Sequence, residues 1–271
     1  MTMLLMLLRK YDVSRKCQIS HVKILFGMFV GCVCLALAGA AWAAQTLSIR
    51  TTFTPDKLGA STNLSATALF GSTTPGVPSP IRHVTAYGPA GLTLDVRGAG
   101  TCTVAKLEAV GPSACPADSR IGFGGGVGLL ELAGEVIHEP FTLDFFLGPR
   151  EGGRVAVLIY VNAVTPVSVQ LVLTAREVYG PKPYGWGVSF DIPTIPTLPG
   201  ASYASVEKTS FTFGDSKVAY FRTIHGKRRL VHVKGLIVPK SCPAGGFPYE
   251  AAFSFEDGTA NTYKGTIPCP R

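Results

Sequence analysis

The sequence lacks the short motifs by which catalytic and metal sites are usually recognised. It has no Cys-x-x-Cys, and the histidines do not cluster, so neither a structural zinc site nor another metal centre is expected. His83, His138, His225 and His232 are scattered. His225 and His232 are seven apart, which puts them on opposite faces of a continuous strand. No Gly-x-Ser-x-Gly elbow occurs. Residues 122–128 (GFGGGVG) match neither the Gly-x-Gly-x-x-Gly fingerprint nor a P-loop, and no helical pattern follows them. Charge is sparse as well, at 15% of 271 residues. No cofactor and no catalytic residue is therefore expected.

Glycine (31) and proline (20) are plentiful, which favours short strands joined by turns. Enough of the chain is apolar (46%) to build a core, so global disorder is excluded. The first 43 residues read as a secretory signal peptide. Arg9, Lys10, Arg15, Lys16 and Lys23 precede an apolar run over residues 24–37, and Ala41-Trp42-Ala43 gives a small-x-small cleavage pattern. The alternative is a retained N-terminal anchor, because residues 24–44 approach a spanning length of about 20 residues. The basic region is long, and residues 1–21 read as a gene-start error, with Val22 as the initiator. Five of the 25 Lys and Arg and one of the 17 Asp and Glu precede Ala44, which leaves a mature charge of +4. That supports weak attraction to anionic surfaces, not dedicated nucleic-acid recognition.

Four cysteines remain after the leader: Cys102, Cys115, Cys242 and Cys269. An even number in an exported chain points to disulfides. Four cysteines allow three pairings, and proximity favours Cys102–Cys115 and Cys242–Cys269.

Alternation over residues 46–53 and 64–70 predicts half-buried strands. Further strands are expected at 81–87, 92–96, 121–132, 139–147, 154–161, 167–178, 206–213, 218–223, 230–238, 250–255 and 262–267. Residues 155–161 are apolar on both faces, as in a strand covered on both sides. A short helix is expected at 104–110, stopped by Gly111-Pro112. Residues 181–200 carry five prolines and read mainly as loop or edge, with one strand near 186–192. The expectation is an all-β fold: one antiparallel, jelly-roll-like β-sandwich over residues 44–271, with a disulfide-bracketed helical insert. Two smaller sandwiches split within 181–200 are the alternative.

Two stretches carry a resemblance. One is Gly111-Pro112-Ser113-Ala114-Cys115-Pro116-Ala117-Asp118-Ser119-Arg120-Ile121-Gly122. The other is Cys242-Pro243-Ala244-Gly245-Gly246-Phe247-Pro248, continuing to Phe253-Ser254-Phe255-Glu256-Asp257-Gly258 and ending Pro268-Cys269-Pro270. Both resemble a group of secreted, uncharacterised actinobacterial proteins. The resemblance implies export and the two disulfides, and brings no activity with it.

Several candidate sites can be weighed from residues alone. Phe213-Gly214-Asp215-Ser216 resembles the nucleophile block of GDSL-type esterases, but it stands late in the chain with no Asp-x-x-His after it, so a turn is expected. Glu131, Glu135 and Glu139 share a face if the strand is continuous, yet Gly134 and Pro140 interrupt it. The Glu-x-Asp-x-x-Glu pattern of laminarinase-like glycosidases is missing. The densest polar feature is a basic hairpin. Arg222, His225, Lys227, Arg228 and Arg229 form either a solvated, aggregation-blocking turn or a contact for anionic polymer. Tyr179, Tyr184, Trp186 and Tyr203 form either a sugar-binding platform or a cap on the core. The expected function is a secreted or cell-surface, non-catalytic protein of structural or adhesive type. The alternative is a module binding carbohydrate or anionic cell-wall polymer, and the third reading is an extracellular hydrolase. No specific nucleic-acid partner is expected, and membrane contact only through an uncleaved leader.

Overall fold

The computed structural model describes residues 45–73, 76–132, 134–197, 202–214 and 219–270; for Tyr220, Arg222 and Val231 it describes the strand but not the side chain. The expected signal segment lies outside the described residues. Among those described, no helix is long and apolar enough to cross a membrane.

Among the described residues the fold is antiparallel and all-β, with one α-helix. In chain order the strands are β1 (Gln45–Thr54), β2 (Ser61–Ser72), β3 (Ile81–Pro89), β4 (Thr93–Asp95), β5 (Arg120–Leu132), β6 (Glu135–Leu147), β7 (Ala156–Ala163) and β8 (Val169–Tyr179). They continue with β9 (Tyr184–Asp191), β10 (Ser205–Phe213), β11 (Ala219–Ile224), β12 (Lys227–His232), β13 (Gly235–Ile237), β14 (Phe247–Phe255) and β15 (Ala260–Ile267). Helix α1 (Val104–Val110) falls between β4 and β5. Thirteen strands make one sheet, in the order β15-β14-β3-β9-β8-β7-β6-β5-β10-β2-β13-β4, with β1 also on β2. The stretch β5 to β9 is a plain meander. The strands before and after residues 181–200 join the same sheet.

The two layers of the sandwich are thus stretches of a single curled sheet. Rings from distant strands meet inside it. Trp186 of β9 stacks on Phe213 of β10 at 6.3 Å, and Phe70 of β2 meets Phe253 of β14 edge-on at 5.2 Å. Curling brings the first strand to the last. Asn261 Nδ2 on β15 donates to Gln45 O on β1 (2.6 Å), and the buried Tyr249 hydroxyl donates to Ile49 O (3.0 Å). Asp257, in the β14–β15 turn, accepts from Gln45 Nε2 and from Thr259.

Glycine makes the curl sterically feasible at β5. A Cβ on Gly124 would run into Ser210 O, and one on Gly126 into Lys208 O and the Phe141 ring. Only glycine lets β5 and β10 approach so closely. Pro140 does not interrupt β6, because the β6–β7 pairing starts at Phe141↔Ala163. Pro140 therefore faces β5 alone, where a missing N–H on the other side costs no ladder bond.

The helix sits outside the curl. Thr103 caps it by accepting from Lys106 N, and Gly111 ends it at φ 86°. Its Leu107 packs with Phe146, Leu158 and Tyr160, which point outward from β6 and β7. Leu158 and Tyr160 face this lobe while Val157 and Ile159 face the main core, which accounts for a strand apolar on both sides. Cys102–Cys115 closes the lobe and Cys242–Cys269 ties the C-terminus, with Cα–Cα distances of 5.2 and 5.8 Å. Both bonds mark a chain that matures where thiols are oxidised.

Two outcomes follow. Gly126→Val should cost about 1–3 kcal/mol, the usual range for overpacking, as a lowered midpoint in urea unfolding. Burial pushes the Asp257 carboxyl up, but hydrogen bonds from Thr259, Gln45 and Ser79 outweigh it and leave its pKa below the usual 3.8. A lowered pKa gives stability that is present above 3.8 and lost as pH falls below it. Asp257→Asn should therefore destabilise by about 1 kcal/mol at pH 7, and the gap to the unmodified protein should narrow in melts as pH falls below 3.8.

Candidate functional site

The basic hairpin is a separate two-stranded sheet, β11 on β12, in the register Phe221↔Leu230, Arg222↔Arg229, Thr223↔Arg228 and Ile224↔Lys227. The turn is His225-Gly226, both at positive φ (51° and 76°), which suits the right-handed twist of a two-residue hairpin. The cations Lys227, Arg228 and Arg229 therefore begin β12 instead of sitting in the turn. The described side chains of both strands are exposed. The strand pairing and the tight turn hold the two strands together.

From Ala219 to Lys234 the chain carries five Lys and Arg and no carboxylate. The guanidinium of Arg228 lies 4.3 Å over the Phe221 ring, a cation–π contact. Phe221 is 59% exposed and Leu230 50%. Asp95, close enough for its charge to act on Lys234, is engaged elsewhere. The side-chain hydrogen bond from Arg97 chiefly holds its carboxyl down at about 2.

The four aromatic residues do not form one platform. Trp186 is buried against Phe213 in the core, so it offers no face to a surface ligand. Strand alternation explains this: Trp186, Val188 and Phe190 share the inner face, and Tyr179, paired with Trp186, stands at the exposed end of β8. Tyr184 stacks on Tyr87 at 6.3 Å, the Tyr179 hydroxyl donates to Glu177, and Tyr203 is exposed in the segment leading to β10.

Carboxylates are likewise separated. The β5–β6 turn lies between Glu131 and Glu135, whose cross-strand partners are Val136 and Leu132. Glu139 is 4% exposed, inside the curl. Its burial followed from register, which strand alternation alone could not supply across the turn. Asp215 and Ser216 lie outside the described residues.

Sequence reading also missed a hydrogen-bonded group on β3 and β9. His83 Nδ1 is 2.7 Å from Asp191 Oδ1, and Nε2 is 3.0 Å from both Ser189 Oγ and Thr85 Oγ1. Strand pairing creates it, through His83↔Asp191 and Thr85↔Ser189. The residue types are those of a Ser-His-Asp relay, but the surroundings are unsuited to acyl transfer. Both strands are flanked on each side, so their amides are committed to the sheet instead of forming an oxyanion hole. Asp191 is 83% exposed and Thr85 competes for Nε2. Among the described residues no group of three His, Cys, Asp or Glu is placed to hold a metal.

The strongest candidate contact is thus the cationic hairpin. No protein family, curated protein or solved structure matches the chain.

Proposed function

We propose that the protein is an exported, non-catalytic adhesive β protein, secreted or held at the cell surface, that uses the β11–β12 hairpin to hold an anionic polymer of wall or glycan type. The observation that carries this reading is the hairpin itself: two short strands whose described side chains are exposed, a run of cations and no acidic residue. A turn that only protected a sheet edge would need to lie along that edge. This one forms its own sheet. Phe221 and Leu230 add apolar contact beside Arg228, so the surface suits a polymer with both charge and hydrophobic or ring faces. The leader and the two disulfides support export. A sugar platform built on Trp186 has no such support, since the ring is buried.

The test replaces Lys227, Arg228 and Arg229 with serine. Exposed side chains pack little, so stability should change by about 0.5 kcal/mol per site or less. The unmodified protein should bind purified wall teichoic acid or an acidic glycan at low salt. It should release the polymer as the Debye length shortens from about 10 Å at 0.1 M to about 3 Å at 1 M. The triple variant should bind poorly throughout. Equal retention of both proteins on the polymer column would defeat the proposal.

A further inference from the structure

The interior of the curled sheet is not filled. Leu64, Phe141, Leu171, Val188 and Phe211 share the inner face yet remain only partly buried. They line a cavity of about 350 Å³ whose walls are almost wholly apolar. Protein interiors close-pack and leave few voids larger than a water molecule. A space of this size falls in the range of small-molecule sites.

Among the described residues one buried carboxylate stands on the wall. Glu139, 4% exposed, pairs with Gly128 of β5 and shares the inner face with Leu130 and Phe141. Its Oε1 accepts from Val167 N at 3.2 Å. Ser205, 3% exposed, pairs with Leu129, the next residue of β5, and so belongs to the opposite face. Trp186 marks the opposite end. It stacks on Phe213, eight residues along β10 from Ser205, or about 26 Å at strand rise. Its Nε1–H has no hydrogen-bond partner among the described residues, and a double bond in a ligand chain would offer it a weak acceptor.

We propose that this cavity binds a single-chain amphiphile, its alkyl chain running toward Trp186 and a hydroxyl or ammonium head at Glu139. Length and apolar walls select the chain. A buried carboxylate selects a head that donates hydrogen bonds, and it disfavours a second carboxylate. The site is separate from the hairpin, so either reading can fail without the other.

The test uses the full chain with Trp42→Phe, which leaves Trp186 as the only tryptophan. The probes are hexadecanol, hexadecylamine, hexadecanoate and hexadecane, delivered from cyclodextrin. Hexadecanol and hexadecylamine should bind saturably, one per chain, and about tenfold or more tighter than hexadecanoate. Hexadecanol brominated at its terminal carbon should quench Trp186, and hexadecanol brominated beside the head should not. Ala66→Phe and Val161→Phe, each filling the cavity from a different wall, should lower affinity about tenfold or more with melting transitions retained. Glu139→Gln should weaken hexadecylamine about tenfold or more and leave hexadecane unchanged. Absence of saturable binding in the Trp42→Phe protein overturns the proposal, whether or not the filled variants fold. So does a preference for hexadecanoate, or quenching only by the head-brominated probe.

Discussion

A sheet this long has to place its two edges somewhere. Backbone N–H and C=O groups on an edge strand invite pairing with other chains, so an untreated edge is an aggregation hazard. Here the sheet curls until β1 reaches β15, and side chains bridge the gap: Asn261 to Gln45 O, Tyr249 to Ile49 O, and Asp257 to the Gln45 amide. Most other features depend on that closure. It sets which face of every strand is inside, and it brings Trp186 against Phe213 although four strands separate them in the sheet.

Closure also explains the unusual residues. The glycines of β5 are needed where β10 comes closest, because a side chain there would meet a neighbouring carbonyl. The helix and the Cys102–Cys115 bond occupy the outside of β6 to β8, where bulky outward residues would otherwise face water. The inside is lined by residues too few or too small to fill it: alanines at 66, 68, 86, 163 and 251 recur along the wall. A curled sheet with small inward residues encloses space, whereas the same strands in two flat layers would press it out.

Much of the strand plan was legible. Alternation over residues 46–53 and the helix at 104–110 match β1 and α1 closely, because period and end signals are local. The expected strand 230–238 is in fact two, β12 and β13, paired with different partners. Periodicity does not say which neighbour a strand will take. The same blindness hid the His83–Ser189–Asp191 group, whose members are about a hundred residues apart in sequence and adjacent only through pairing. It also hid the burial of Glu139.

The sequence by itself determined the all-β class, the cysteine pairs and the basic, acid-free hairpin. Each of these rests on local composition, spacing or turn chemistry, which neighbouring residues specify directly. The tertiary structure alone decided that Trp186 turns inward, that the hairpin forms a sheet of its own, and that the interior holds an apolar cavity with the buried Glu139 on its wall. Those outcomes depend on register and on closure of the sheet. Both are long-range choices, in which one residue of slip would move every side chain to the opposite face.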